Sequence, residues 1–318
     1  MAVANTFQEL KSNRALDFQR IVFAMHGEDR KHSNARIDSF VQSALRKTKH
    51  TRTANRLKDC RRGSYCGNIY CSVCRSRMAE KLLKRFQVHI FNEDLGSVDC
   101  SRRLRWGTIL HDVVEANLDA VKSATQRARE DYINFNRKFS SSWAQGAFEY
   151  ELLDMQKVER FIGESASQSR KKSTLLEMTG YQNNLDQQKR DWIWKDSAGN
   201  KRTDYVLVHT HFLMDGYEYD WDDIKKDAVR RWGKHHRVKF DALHDYKTRS
   251  LEDSLFKMAS YCFKNRCDFH YDFGNYRWED DLDNEKMFSV TEINTLFYIY
   301  DKMMGSNRRG MLLGWNKK

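Results

Sequence analysis

The sequence predicts an α+β fold, a central antiparallel sheet with helices packed on it, and three observations carry that expectation. Gly146–Leu153 (GAFEYELL) alternates as a strand does: Phe148, Tyr150 and Leu152 face one way, Ala147, Glu149, Glu151 and Leu153 the other. Tyr205–Met214 (YVLVHTHFLM) is a second, more apolar strand. Between the first of these and a basic-entry strand at Arg102–Leu110 (RRLRWGTIL) runs an amphipathic helix, Glu115–Phe139. In it Leu118, Val121, Ala128, Tyr132 and Phe135 recur near helical spacing. The order strand, long helix, strand, strand, helix, strand, helix suits helices laid on one face of an antiparallel sheet.

The remaining elements follow in chain order. Residues 1–59 form a polar, basic N-terminal region with helical patterning around Ala15–Met25 and Ile37–Leu45. Residues 60–100 hold a Cys-rich basic segment and a helix from Ser76 to about Asn92. Residues 101–270 are the expected main domain, and 271–318 a C-terminal helical extension with a basic tail. Within the main domain, 160–190 is polar and reads as a loop or insertion. Trp192–Trp194 reads as a strand leading to a turn at Asp196–Asn200. Trp221–His235 is a helix with acidic residues at its start and basic ones at its end, as the macrodipole favours. Val238–Leu243 is a short strand. Ser250–Lys264 is a helix with Ser250 and Asp253 placed as a capping box, and Val290–Met304 another helix. The chain has no proline, so boundaries rest on Gly, Asn, Asp and Ser.

Bulk composition narrows the partners. With 318 residues, 40% hydrophobic and 13% aromatic, the chain can bury a substantial core. A net charge of +12 and a pI near 9.3 favour a polyanionic partner such as nucleic acid. No apolar run reaches the ~18 residues of a membrane span, and no signal-peptide core opens the chain, so no membrane partner and a cytoplasmic location are expected. Seven cysteines in such a chain point to metal or chemistry rather than disulfides.

Four motifs carry chemistry. His209 and His211 lie two apart in a strand, so both imidazoles leave the same face, about 7 Å apart along the backbone. That arrangement suits two nitrogen ligands on one divalent ion; a structural histidine pair at a sheet edge is the competing reading. Tyr261 and Lys264, in Tyr-Cys-Phe-Lys, are neighbours on one helix face. A phenol with a pKa of ~10 needs a nearby cation or a polarised phosphate before it attacks phosphorus. A core aromatic beneath a snorkelling lysine gives the same pattern. Glu149 and Glu151 share a strand face, and either completes a His-His-acid set for Mg²⁺ or Mn²⁺. Finally, Cys60, Cys66, Cys71 and Cys74 are spaced to close a tetrahedral Zn²⁺ site. Arg61, Arg62, Arg75, Arg77 and Lys81 around it, with Arg102 and Arg103 at the following strand, suit DNA phosphates. Cys262, beside Tyr261, is expected to be a small buried filler.

Together these motifs resemble the HUH endonucleases, and within them the rolling-circle plasmid replication initiators with a single catalytic tyrosine. His-Thr-His-Phe-Leu-Met looks like their histidine motif and Tyr-Cys-Phe-Lys like their tyrosine motif. The upstream Cys-x-x-Cys, Arg-Trp-Gly-Thr-Ile-Leu, and the late Gly310–Trp315 (GMLLGW) are similar to further parts of the pattern. The resemblance spans roughly residues 60–315. It implies His209 and His211 as metal ligands, Tyr261 as nucleophile, and Lys264 as a phosphate- or water-positioning lysine. It places Glu151 ahead of Glu149 as third ligand. It implies plasmid or phage origin DNA as substrate, a 5′-phosphotyrosyl intermediate, and a host helicase and polymerase as partners. Two departures stand out: Lys257 occupies the position one turn before Tyr261 where a water-activating carboxylate occurs in the group, with Asp253 two turns back. Val208 stands where a proline often precedes the first histidine. A transposase or relaxase of the same chemistry, and a non-enzymatic zinc-dependent DNA-binding protein, are the competing expectations.

Overall fold

The computed structural model describes residues 41–48, 50–60, 64–154, 158, 166–179, 204–233, 236–243, 251–263, 290–304 and 312–315. Their elements, in chain order, are α1 (Thr51–Lys58), α2 (Ser72–Asn92), α3 (Ser97–Arg103), β1 (Leu104–Glu115), α4 (Leu118–Lys138), β2 (Trp143–Asp154), α5 (Ala166–Met178), β3 (Asp204–Asp215), α6 (Trp221–Trp232), β4 (Val238–Ala242), α7 (Leu251–Tyr261), α8 (Val290–Met304) and β5 (Leu312–Trp315). The fold is α+β, with one five-stranded antiparallel sheet in the order β4-β1-β3-β2-β5. The helical pattern at Ala15–Met25, the Ile37–Phe40 part of the pattern at Ile37–Leu45, the strand at Trp192–Trp194 and the turn at Asp196–Asn200 lie outside the described residues; residues 41–46 are helical, with Val41, Ala44 and Leu45 buried.

β3 is the central strand, so both its edges are paired, and helices cover both its faces. Its even positions, Val206, Val208, Phe212 and Met214, join Phe148, Tyr150 and Leu152 of β2 in a core closed by α4, α6 and α8. On the opposite face Leu213, Trp143 and Ala147 pack under α2 and α7. Farther along that face, Leu207, Tyr205 and Leu153 pack with Leu175 and Leu176 of α5. Between these two clusters the face turns polar.

Local signals set the helix ends. Asn117 caps α4 by accepting the Ala120 N–H at 2.9 Å, and Asp220 caps α6 by accepting the Asp222 N–H at 2.7 Å. α6 stops at Gly233, whose φ of 96° is open to glycine at little cost. The stop falls short of the expected His235.

Three expectations change. The polar stretch 160–190 contains α5, whose Thr174, Leu175 and Leu176 are buried. The segment 271–318, expected as a helical extension, includes β5, which pairs with β2, while α8 packs on the same sheet. β1 runs on past Leu110 to Glu115 through a bulge between Leu110 and Asp112. Arg237 secures that bulge by donating to the Leu110 and His111 carbonyls.

Phe212 makes the centre of the sheet intolerant of extra volume. A Cβ on Gly107 would meet its ring at 2.4 Å, and one on Gly146 would meet the His211 carbonyl at 2.1 Å. The strands approach this closely only because both positions lack a side chain.

β3 ends in a buried ion cluster. Asp215, 1% exposed, accepts from Arg103 Nη2 at 2.6 Å and Nε at 3.1 Å, and from the Tyr217 N–H at 2.8 Å; His89 Nε2 lies at 2.9 Å. Burial opposes ionisation of Asp215, but His89 and Arg103 outweigh it and hold the carboxyl below its usual value. Asp215→Ala leaves the part-buried Arg103 with Glu93 alone and takes the partner of His89 away, so we expect a loss of about 3 kcal/mol. The depressed carboxyl contributes fully above its unfolded value of about 3.9, and the contribution fades as pH falls through the lower folded value. Urea unfolding at pH 7 checks this; an unchanged midpoint would refute the role given to the cluster.

Candidate metal and tyrosine site

The polar gap on the sheet is built by register. Glu149 of β2 stands directly opposite His209 of β3, and Thr108 of β1 stands opposite His211. Side chains that share a face at such positions meet across the ladder. Glu149 Oε2 lies 3.2 Å from His209 Nε2 and 3.3 Å from His211 Nε2. All three residues are buried, at 5%, 6% and 4% exposure. Glu151, which the resemblance placed first, stands opposite Leu207 instead and is outside the trio. The two-residue shift along β2 carries its carboxylate past the imidazoles.

The three donors fit a cation. Burial pulls His211 below the usual imidazole value, which favours the neutral ring a metal requires. Burial works against the Glu149 charge, but His209 and His211 outweigh it and hold the carboxyl well below its usual range. Thr108 Oγ1 lies 3.0 Å from His211 Nδ1; with Nδ1–H donating to it, the ring presents Nε2 as a ligand. His209 Nε2 is buried and, despite its proximity to Glu149, makes no hydrogen bond of proper geometry. A cation at the trio would satisfy that nitrogen.

Tyr261 joins this group from the end of α7. Its ring stands edge-on to His211, 4.7 Å between centroids, and edge-on to Trp106 at 6.4 Å. Trp106 in turn stacks parallel to His211 at 5.8 Å. Tyr261 is 38% exposed, so the three buried donors are bordered by a side chain that reaches solvent. The next residue explains the docking: Cys262, 1% exposed as a small buried filler, donates its S–H to the His211 carbonyl at 3.3 Å. Leu255, Phe256 and Ala259 bury the same side of α7 against α2. Lys257 is exposed one turn before Tyr261. Lys264 lies outside the described residues. Trp106 and Thr108 escaped the sequence reading, although the alternation of β1 places both on one face.

The four cysteines also come together. The Sγ atoms of Cys60, Cys66, Cys71 and Cys74 all lie within 4.8 Å of one another. Cys74 Sγ is 3.6 Å from Cys60 Sγ and 3.5 Å from Cys66 Sγ. The Cys66 N–H donates to Cys60 Sγ at 3.3 Å and the Gly67 N–H to Cys74 Sγ at 3.1 Å. Hydrogen bonds from Cys66 and Cys71 hold the Cys74 thiol far down, while those to Cys66 and Cys74 drive Cys71 far up. One thiolate thus suppresses ionisation of the others, and all four would be thiolates together only around a cation. The cluster can therefore hold a metal ion such as zinc.

The surrounding cations divide. Arg77 lies over the Tyr65 ring at 3.8 Å, Lys81 is exposed, and Arg102 is 76% exposed with Asp99 at 3.7 Å. Arg75 turns inward toward the Ile69 carbonyl at 3.4 Å. Arg103 is committed to Asp215 and Glu93 and is only 13% exposed, which corrects its expected role on DNA. Arg61 and Arg62 lie outside the described residues. No helix among the described residues is long and apolar enough to cross a membrane.

No protein-family model, curated protein or solved structure matches the chain.

Proposed function

We propose that the protein is a metal-dependent, sequence-specific DNA nickase and strand transferase with Tyr261 as its nucleophile. One observation carries this: a partly exposed tyrosine from α7 stands against the Glu149–His209–His211 trio of the central strands. Structural histidines need neither a carboxylate between them nor a tyrosine at their rim.

Glu149, His209 and His211 would hold a divalent cation, which when bound lends positive charge to a phosphate beside Tyr261. Two nitrogens and one carboxylate oxygen suit Mn²⁺ better than Mg²⁺, which prefers oxygen ligands. Tyr261 Oη forms the bond to phosphorus as the bond to the 3′ oxygen breaks. The phenol proton is lost to solvent and the departing oxygen takes one up, leaving a 5′-phosphotyrosyl link and a free 3′-OH. The link conserves the phosphodiester for rejoining. A free 3′-OH at a plasmid or phage origin would prime a host polymerase, with a helicase opening the duplex. The Cys60–Cys74 cluster, loaded with zinc, would hold Arg77 and Lys81 toward the DNA backbone. A transposase or relaxase performs the same step, and the location of the nicked sequence separates the two.

The test uses a randomised single-stranded DNA library with Mn²⁺, labelled at either end. The 3′-end label is expected to travel with the protein on a denaturing gel, and the adduct to map to the Tyr261 peptide. No adduct in Mn²⁺ or Mg²⁺, or one through another residue, overturns the proposal. In the same assay Glu149→Gln is expected to lower adduct formation by about 100-fold, while Glu151→Gln stays within about threefold. Equal losses would refute the assignment of Glu149.

A further inference from the structure

A cavity of about 310 Å³ lies on the opposite side of the sheet from Tyr261, between α4, the β1 bulge and the end of α6. Arg127, Arg230, Arg231 and Arg237 line it together with His111 and Trp232. Its volume is at the lower end of the range for small-ligand sites, about 300–1,000 Å³.

Buried polar atoms nearly always have hydrogen-bond partners, and those that lack one call for a water, an ion or a ligand. Three such atoms sit on residues lining this cavity: His111 Nδ1, Arg231 Nε and Trp232 Nε1. His111 and Trp232 are 8% and 4% exposed, so bulk water does not serve them. The two nitrogens on Arg231 and Trp232 are donors, and donor capacity at Nδ1 follows from the other end of the His111 ring. Its Nε2 lies 3.0 Å from Thr210 Oγ1 and 3.4 Å from the Tyr132 hydroxyl. With Nε2 accepting from that hydroxyl pair, the ring proton sits on Nδ1.

Charge points the same way. Four guanidiniums line the cavity against two carboxylates, Asp112 and Asp131. Asp112 is matched by Arg127 at 2.6 Å, and Asp227 of α6 is matched by Lys138 at 2.8 Å as well as by Arg230 and, at 3.6 Å, by Arg231; Arg237 donates to backbone carbonyls, so cationic groups still outnumber carboxylates. An excess of planar cationic donors beside three unsatisfied N–H groups suits a tetrahedral oxyanion with several acceptor oxygens.

We propose that this cavity binds a phosphoryl group, carried by a nucleoside phosphate or by a nucleic-acid backbone. The site is distinct from the tyrosine site and goes beyond the nicking reaction. Thr210 lies between His209 and His211 in the chain but faces the other way, toward His111. The central strand therefore has the candidate metal donors on one face and this anion pocket on the other.

The test follows the Trp232 indole N–H resonance in ¹⁵N-labelled protein, assigned by Trp232→Phe. The protein is titrated with inorganic phosphate, a nucleoside 5′-monophosphate or a short single-stranded oligonucleotide, with chloride holding ionic strength constant. A saturable movement of that resonance is expected. Arg127→Gln combined with Arg230→Gln should weaken binding about tenfold, because charge-assisted contacts are lost. These side chains are 59% and 72% exposed, so the fold should tolerate both changes. Saturation at lower concentration by the oligonucleotide identifies the backbone as the source; saturation by the monophosphate alone identifies a free nucleotide. No saturable movement with any probe, or equal affinity in the double variant, overturns the proposal. Tyr261→Phe should leave the titration unchanged, which separates this result from the fate of the nickase.

Discussion

Tyr261→Phe is expected to reduce covalent adduct formation by at least about 10⁴-fold, with DNA affinity and melting temperature unchanged. The substitution removes a single oxygen. The ring keeps its edge contacts with His211 and Trp106, and Cys262 still fastens α7 to the His211 carbonyl. Tyr261 is 38% exposed, against 4–6% for the three donors, so the change falls outside the tightly packed core. A structural role would therefore show as lost stability with residual adduct, whereas a nucleophile shows the reverse. Adduct yield on the denaturing gel, read beside a filter-binding assay, separates the two. Wild-type adduct formation by the phenylalanine variant in Mn²⁺ would sink the tyrosine mechanism.

A metal ion held by Cys60, Cys66, Cys71 and Cys74 would, on removal, have the largest effect on stability. Cys74→Ser, or prolonged chelation, is expected to lower the melting temperature by about 10 °C or more, since structural zinc contributes directly to folding. The cluster is tied into the sheet. Cys71 is the N-terminal cap residue of α2, and Tyr70 beside it packs on Phe297 and Tyr300 of α8. The Tyr300 hydroxyl donates to the Tyr150 carbonyl at 2.9 Å and accepts the Tyr150 N–H at 3.0 Å. Loosening the knuckle therefore releases the start of α2 and the seat of α8 together. Thermal melts with elemental analysis check this; an unchanged melt in metal-free protein would show the cysteines to be ordinary core residues.

Much of this was legible in the chain because it depends on local period. The alternation in β2 and β3 assigned Phe148, Tyr150 and Leu152 to one face and His209 with His211 to a single side. Of the stripe Leu118, Val121, Ala128, Tyr132 and Phe135, the last four turn inward on α4 while Leu118, in its first turn, is only half-buried. α8 spans Val290–Met304, as its pattern predicted. Elements whose signal is non-local were missed. α5 lies in a polar stretch and shows its purpose only where Leu175 and Leu176 meet β3 residues. β5 is four residues long and is a strand because β2 offers it an edge. Arg103 reads as one more basic residue until Asp215, far along the chain, is found beside it.

The candidate site divides along the same line. Residue types and a two-residue period, read from the sequence alone, placed two imidazoles on one strand face and two glutamates on another. They left open which glutamate belongs to the histidines, since both share a face and differ by one period. Only the pairing of β2 with β3 settled it, by setting Glu149 against His209 and Glu151 against Leu207. Register is a property of two strands docked together, fixed by packing on both faces of the sheet, and no single strand encodes it. The meeting of Tyr261 with His211 has the same origin: the helix was predictable, but its contact with the sheet follows from the burial of Cys262, Leu255 and Phe256 in the tertiary core.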